Sequence, residues 1–142
     1  MHTTQDTAAR LLEVRADATA GSRIVHVEAQ LCDLPVETER TDALQTFVKQ
    51  ETILVRLRTA DGTEGIGYSY TIGTGGGAVL SLLRETLLPA LIGLEAERPE
   101  AVWLALFGIT RATTVGPITA LALAAVDTAC LLYTSPSPRD GL

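Results

Sequence analysis

Residues 52–70 read TILVRLRTADGTEGIGYSY, and this stretch decides the fold. Apolar and polar side chains alternate along its first half, which predicts a half-buried β-strand. The predicted inward-facing residues are Ile53, Val55 and Leu57. Asp61-Gly62 then gives the strongest short signal for a hairpin, because both turn positions must accept positive φ angles. Residues 64–70 follow as the return strand, so the stretch predicts two antiparallel strands joined by a tight turn.

A further strand is predicted upstream, where apolar residues again alternate with polar ones. Its predicted inward-facing residues are Val25, Val27, Ala29 and Leu31. Pro35 is expected to end this strand, because proline cannot donate a backbone hydrogen bond. Residues 34–46 are polar and irregular and are predicted to form a long loop. The first half is therefore a three-stranded antiparallel meander, preceded by a flexible N-terminal arm over residues 1–22.

Helical spacing replaces the strand pattern after residue 78. The apolar face of the first predicted helix consists of Val79, Leu80, Leu83, Leu87 and Leu91. Pro89 should kink or shorten this helix, and Gly93 should stop it. Pro99 and Pro117 suit the first positions of two more helices, which are expected to end at Gly108 and Leu132. The sequence thus predicts an α+β fold, with a three-stranded antiparallel meander followed by three helices.

Composition limits the kinds of partner. The chain has 142 residues, 46% of them hydrophobic and 20% charged, which excludes a disordered chain. The formal net charge is −6, so neither a nucleic acid nor an anionic membrane is an expected partner. Two cysteines do not make a disulfide framework, and both are expected to be buried and inert. No basic, apolar leader opens the sequence, so we predict a cytoplasmic protein.

A glycine-rich segment offers one candidate for cofactor binding. Gly73–Ala78 fits the G-x-G-x-x-A pattern between a predicted strand and a predicted helix, as dinucleotide-binding loops do. That pattern belongs to a β-α-β unit, however, and here another helix follows instead of a strand. A dinucleotide-binding oxidoreductase is kept as an alternative, whereas a flexible hinge or substrate loop explains the glycines better.

The third predicted helix carries almost no polar face and must be covered on every side. Either further protein covers it or, as a second alternative, a non-enzymatic module buries it in a homodimer. No pair of carboxylates, Ser and His, or Cys and His falls on adjacent predicted elements. We therefore predict no catalytic, metal-binding or cofactor-binding residue in this chain.

Three segments together resemble the N-terminal capping domain of the enolase superfamily, in the mandelate racemase/muconate lactonizing enzyme family. The hairpin at 53–70 resembles the pattern V-x-[VL]-x-T-x-D-G-x-x-G-x-G. Residues 87–93 (LLPALIG) resemble L-x-P-x-L-x-G, and residues 124–129 (AAVDTA) resemble the start of A-x-D-x-A-L-W-D. The resemblance covers residues 23–129 and stops where the pattern would continue with an apolar residue, Trp and Asp. Residues 130–142 contain two prolines and no periodicity, and we predict that they are a non-native tail.

The resemblance implies a function for a longer parent enzyme. Such enzymes use Mg²⁺, held by acidic barrel residues, and remove a proton α to a carboxylate of a small substrate. The outcome is racemisation, dehydration of a sugar acid or cycloisomerisation. The capping domain closes over the barrel and sets specificity, so this chain alone is expected to be inactive. Its expected partners are its own C-terminal barrel and a small carboxylate substrate, in a parent that is expected to be a homo-oligomer.

The resemblance also implies which residues contact the substrate. They should lie on two mobile loops, Leu34–Asp42 and Tyr70–Gly77. Tyr70 falls where the family places a substrate-facing tyrosine. The predicted substrate-binding residues are Pro35, Glu37, Thr38, Tyr70, Thr71, Ile72 and Thr74.

Overall fold

The fold is an antiparallel sheet covered on one face by helices. A computed structural model describes residues 14–15, 21–114 and 116–134. The strands lie in sequence order and are β1 (Val14–Arg15), β2 (Ile24–Thr41), β3 (Thr46–Thr59) and β4 (Glu64–Thr71). The helices are α1 (Gly76–Leu82), α2 (Leu88–Leu91), α3 (Pro99–Thr110) and α4 (Pro117–Thr134). A π-helical turn (Leu83–Leu87) joins α1 to α2, so these two correspond to the first predicted helix. The predicted α+β fold is confirmed.

Residues 52–70 form the predicted hairpin. Ile53, Val55 and Leu57 on β3 are fully buried. The turn closes where the Thr59 amide donates to the Thr63 carbonyl, and Gly62 takes the positive φ angle of 89° that the turn needs. The Asp61 carboxylate accepts from the Thr59 hydroxyl at 2.6 Å, which fixes the turn from inside.

The predicted loop at residues 34–46 is instead a strand pair. β2 continues through Pro35 to Thr41, and the turn back to β3 is short, with the Asp42 carboxylate accepting from the amides of Leu44 and Gln45. The register of the pairing shifts between Pro35 and Arg40, and irregular pairing of this kind tolerates a proline. The prediction was wrong because this part of the hairpin has no buried face, so no apolar alternation marks it. We call residues 34–48 the hairpin arm.

The start of β2 differs from the prediction by one position. Ile24, not Val25, is fully buried. The ladder with β3 shifts between Ile24 and His26, so the alternation resumes in phase only at Val27. The Ile24 backbone pairs with residues 93–94, where the Leu94 carbonyl accepts its amide at 2.8 Å.

β1 is a two-residue strand in the segment predicted as a flexible arm. Val14 and Arg15 pair with Val27 and His26 at the edge of β2. The rest of that predicted arm lies outside the described residues. Within the part of the chain that the structure describes, the sheet therefore has four strands, three of which form the predicted meander.

The helical layer follows the predicted apolar face. Val79, Leu83, Leu87 and Leu91 are fully buried. The π-helical turn ends two residues before Pro89, whose missing amide cannot complete a regular α-helical turn. Gly93 takes a φ angle of 87° just after the helix, as a C-terminal glycine does. α3 runs to Thr110, two residues past the predicted end at Gly108.

α4 packs directly on β4 because two glycines of β4 face it. A Cβ atom built on Gly65 would lie 2.2 Å from the Ala129 carbonyl oxygen, and one on Gly67 would lie 2.0 Å from the Ala125 carbonyl oxygen. The helix also continues past Ala129, where the resemblance stops: Cys130 is fully buried, and the Tyr133 hydroxyl donates to Asp61 at 3.3 Å. Residues 135–142 lie outside the described part. No helix among the described residues has the length and apolar character needed to span a bilayer.

The two cysteines are expected to react at very different rates. Burial raises the pKa of the Cys130 thiol to about 12, whereas Cys32 is only half-buried, contrary to the prediction for it. At pH 8 a thiol with such a pKa is ionised in roughly one molecule in 10,000, and the thiolate is the reactive form. Ellman's reagent should therefore detect one thiol rapidly in the native chain and two after denaturation in guanidinium. Two rapidly reacting thiols in the native chain would contradict the burial of Cys130.

Candidate functional site

A concavity of about 710 Å³ lies between the hairpin arm and the end of β4. The open face of the sheet supplies Tyr68 and Tyr70, because β4 alternates and its other face meets the helices. The hairpin arm supplies the opposite wall. Predicted substrate-binding residues in the lining are Pro35, Glu37, Thr38, Tyr70 and Ile72. The fold thus brings the two predicted segments together, although one of them is a strand pair rather than a loop.

Two predicted residues do not line the concavity. Thr71 is buried, and its hydroxyl donates to the Glu51 carboxylate at 2.6 Å. It follows Tyr70 in a strand, so the two side chains must point to opposite faces. Thr74 is exposed and lies outside the lining.

The lining also includes residues outside the predicted substrate-binding set. They are Leu34, Val36, Arg40, Phe47, Lys49, Gln50 and Tyr68. Aromatic rings, hydroxyl groups, an amide and charged groups therefore surround one concave surface. Such a mixture can pack against the apolar faces of a small molecule and also hydrogen-bond its polar groups.

Lys49 and Glu51 form a charged cluster beside the concavity. The Lys49 ammonium lies 3.3 Å from Glu51 Oε1 and 3.5 Å from Asp33 Oδ2. The hydrogen bond to Glu51, and then the charge of Asp33, raise the pKa of Lys49. One cation is therefore shared between two carboxylates.

Glu51 Oε2 also holds the turn that leads into α1. It accepts from the Thr71 hydroxyl at 2.6 Å and from the Gly76 amide at 2.9 Å. These two hydrogen bonds lower the pKa of Glu51, with a smaller contribution from Lys49. The side chain is 13% exposed. Position 51 shares its face with Ile53, Val55 and Leu57, and that parity is the signal in the sequence that could have revealed it.

The same contact disfavours the dinucleotide alternative. In a dinucleotide-binding loop, the first amides of the helix donate to a pyrophosphate. Here the Gly76 amide already donates to a carboxylate of the chain itself. In addition, β4 is the return strand of an antiparallel hairpin, so the β-α-β unit is absent from the described residues.

Glu51 should give the chain a measurable dependence on pH. Its pKa is lowered in the folded chain from an ordinary value of 4.5, so its stabilising effect is present above pH 4.5 and is lost as the pH falls through the folded pKa. We expect Glu51→Gln to lower the urea midpoint at pH 7, and this difference should shrink as the pH is lowered from 4.5 through the folded pKa of Glu51. A difference that keeps the same size throughout this descent would mean that the charge of Glu51 is not involved.

The described residues contain no group of three or more His, Cys, Asp or Glu side chains that could hold a metal ion. Asp33 and Glu51 instead pair with Lys49, and Glu51 also accepts from the Thr71 hydroxyl and the Gly76 amide.

A family model and a curated relative both match this chain, and they indicate the same family. Residues 19–132 match the family described as mandelate racemase/muconate lactonizing enzyme, N-terminal domain. A 3,6-anhydro-alpha-L-galactonate cycloisomerase from Streptomyces coelicolor is 33% identical over 107 residues, which are 75% of this chain and 30% of that protein. The family match at residues 19–132 begins within the predicted arm and extends three residues beyond Ala129.

Solved structures give the same result. A racemase from Streptomyces coelicolor A3(2) with bound magnesium superposes with a TM-score of 0.72 at 32% identity, over 75% of this chain and 30% of the other. An L-talarate dehydratase from Polaromonas sp. JS666, complexed with Mg and L-glucarate, gives 0.71 at 27% identity, over 76% of this chain and 30% of the other. The chain thus spans about 30% of the length of these relatives.

Proposed function

Because this chain belongs to the mandelate racemase/muconate lactonizing enzyme family, through its N-terminal domain, we propose that it caps the active site of a longer enzyme. That enzyme removes a proton α to the carboxylate of a small substrate. In this proposal the chain binds the far end of the substrate and excludes water, and it transfers no proton itself.

The concavity between the hairpin arm and β4 is the observation that carries this proposal. It gathers Tyr70, Ile72 and the hairpin-arm residues Pro35, Glu37 and Thr38 on one surface. Tyr70 is 48% exposed, so its ring and hydroxyl are available to a ligand. A surface made by two segments that are distant in sequence is the kind of site that sets specificity.

We propose a sugar acid as the substrate. Glu37, Thr38, Arg40 and Gln50 offer donors and acceptors for hydroxyl groups, and the tyrosine rings offer flat faces for the carbon skeleton. The relatives named above include a cycloisomerase of an anhydro-galactonate and a dehydratase complexed with L-glucarate, which are acids of this class. Dehydration is our preferred reaction, with racemisation and cycloisomerisation as the other members of the same chemistry.

Magnesium enters this proposal only through the rest of the enzyme. We propose that the metal ligands and the catalytic base lie in the barrel of the parent enzyme, as the family resemblance implies. A cytoplasmic location and a homo-oligomeric parent enzyme are further proposals, which rest on the sequence.

The C-terminal barrel of the parent is the proposed partner of the exposed helices. α3 and α4 leave large apolar side chains exposed, namely Trp103, Leu104, Ile109, Leu131 and Leu132. The Trp103 and Phe107 rings stack with centroids 4.8 Å apart, which gives this surface a flat aromatic part. Contact with further protein would remove these groups from water.

The chain alone should show no turnover. With Mg²⁺ and a panel of sugar acids and α-hydroxy acids, we expect product formation at the level of a no-protein control. The full-length protein that carries residues 19–132 should convert at least one of these acids, and EDTA should abolish that activity. Turnover by the 142-residue chain, or none by the full-length protein on any acid, would refute the proposed function.

A further inference from the structure

We propose that Glu51 is a positioning residue that holds the two substrate-contacting segments of the cap in one fixed arrangement. These segments are the hairpin arm and the glycine loop, residues 72–75. The inference rests on the capping function proposed above. It adds a specific role for a residue that does not itself line the concavity.

Glu51 closes the glycine loop at both ends with one oxygen atom. Oε2 accepts from Thr71, which precedes the loop, and from Gly76, which follows it. Between these two points, Gly73 and Gly75 take φ angles of 82° and 97°. The glycine loop therefore begins and ends at the same carboxylate. This contact fixes the two ends of the loop, although glycine residues allow the backbone between them many conformations.

The other oxygen of Glu51 connects the loop to the base of the hairpin arm. Oε1 lies 3.3 Å from the Lys49 ammonium, which also reaches Asp33. Asp33 directly precedes the hairpin arm, and Lys49 directly follows it. Asp33 and Glu51 are opposite each other in the β2–β3 ladder, where two like charges would repel without the cation between them.

The backbone around Glu51 is shaped to fit the carboxylate. A Cβ atom on Gly76 would lie 2.8 Å from Glu51 Oε2 and 2.9 Å from Glu51 Cβ, so a side chain there would displace Glu51. A Cβ atom on Gly73 would lie 3.3 Å from Lys49 Cγ, which places the loop close over the lysine stem. The absence of side chains at these positions lets the loop approach the charged cluster closely.

The position of Glu51 matters for the concavity because of its neighbours in sequence. Tyr70 and Ile72 line the concavity, and Thr71 between them is the residue that Glu51 holds. Release of Thr71 would let both lining side chains shift, and small displacements of positioning groups weaken substrate binding and orientation. We therefore expect an effect mainly on KM.

Hydrogen exchange of the 142-residue chain tests the contact without any enzyme activity. Glu51→Gln should accelerate exchange at Gly76 and residues 72–75 by roughly tenfold, since it removes a charge-assisted hydrogen bond. Thr71→Val should accelerate exchange in the loop, and Thr71→Ser should restore the slow rate because it keeps the hydroxyl. Glu100→Gln, an equal charge change at an exposed position of α3, is the matched control and should leave these rates unchanged.

Kinetics of the full-length enzyme test the functional role. Glu51→Gln should raise KM by about tenfold with a smaller change in kcat, and Thr71→Val but not Thr71→Ser should do the same. An active wild type whose KM is unchanged in Glu51→Gln and Thr71→Val overturns the inference, as do unchanged exchange rates in the chain. If the wild type converts no acid, the capping function fails, while the exchange rates still decide whether Glu51 holds the loop. If Glu51→Gln does not fold, the Thr71→Val and Thr71→Ser pair gives the same decision.

Discussion

Replacement of Gly67 by alanine is expected to destabilise the chain by about 3 kcal/mol or more, at the upper end of what overpacking usually costs. The new Cβ atom would lie 2.0 Å from the Ala125 carbonyl oxygen and 2.5 Å from the Ala129 amide nitrogen. Both are backbone atoms of α4, so no side-chain rotation can relieve the contact. The whole helix would have to move away from β4, which would leave gaps in a close-packed core. Urea unfolding followed by circular dichroism measures the loss.

A glycine with free space around it gives the matched control. Gly108 lies on the exposed side of α3, and a Cβ atom there would meet nothing within 4 Å. Because alanine favours a helix interior over glycine, Gly108→Ala should raise stability by about 0.5–1 kcal/mol. If Gly67→Ala unfolds at the wild-type midpoint, α4 does not pack on β4 at the distance described here.

The close approach of α4 to β4 requires glycine at positions 65 and 67 of the hairpin. The turn at Asp61-Gly62 and the alternation of β3 are local signals, so they could be predicted from the sequence. The role of Gly65 and Gly67 depends on a helix about 60 residues further along the chain. A local sequence pattern cannot indicate a contact between residues so far apart in the chain. The sequence therefore predicts the hairpin but not the surface that packs on it.

The hairpin arm shows why a strand without a core is hard to predict. The two strands of the arm pair at Arg40–Phe47 and Thr41–Thr46, yet no side chain of residues 34–48 is fully buried. Periodicity arises from burial, so a pair of strands that faces solvent has none. The arm is stabilised by backbone hydrogen bonds, and these leave no pattern of side chains in the sequence.

The candidate site could be predicted only in part, and through the resemblance. Tyr70 and Thr71 were both expected to face the substrate, although the alternation of β4 already placed them on opposite faces. The contact of Glu51 with Thr71 and Gly76 spans 20 and 25 residues and follows from the strand register. A parity argument from the buried Ile53 would have placed Glu51 on the helix side, but not beside the start of α1.

Deletion of the hairpin arm is expected to remove substrate binding while leaving the fold intact. Pro35 and Lys49 are paired across the two strands, so residues 36–48 can be replaced by Asn-Gly, which forms a two-residue turn. The removed residues contribute no buried side chain, and a shorter loop costs less entropy to close, so the urea midpoint of the chain should be unchanged.

The loss of function in the full-length enzyme should be large, because one wall of the concavity disappears. We expect kcat/KM for the best sugar acid to fall by about 100-fold or more, which corresponds to about 2.7 kcal/mol of lost transition-state stabilisation. Leu44→Ser at the exposed tip keeps the wall and should change kcat/KM much less, since Leu44 does not line the concavity. A deletion variant that keeps wild-type kcat/KM would show that the hairpin arm does not contact the substrate. A variant that loses both activity and its urea midpoint would show instead that the arm supports the fold, which contradicts its exposure.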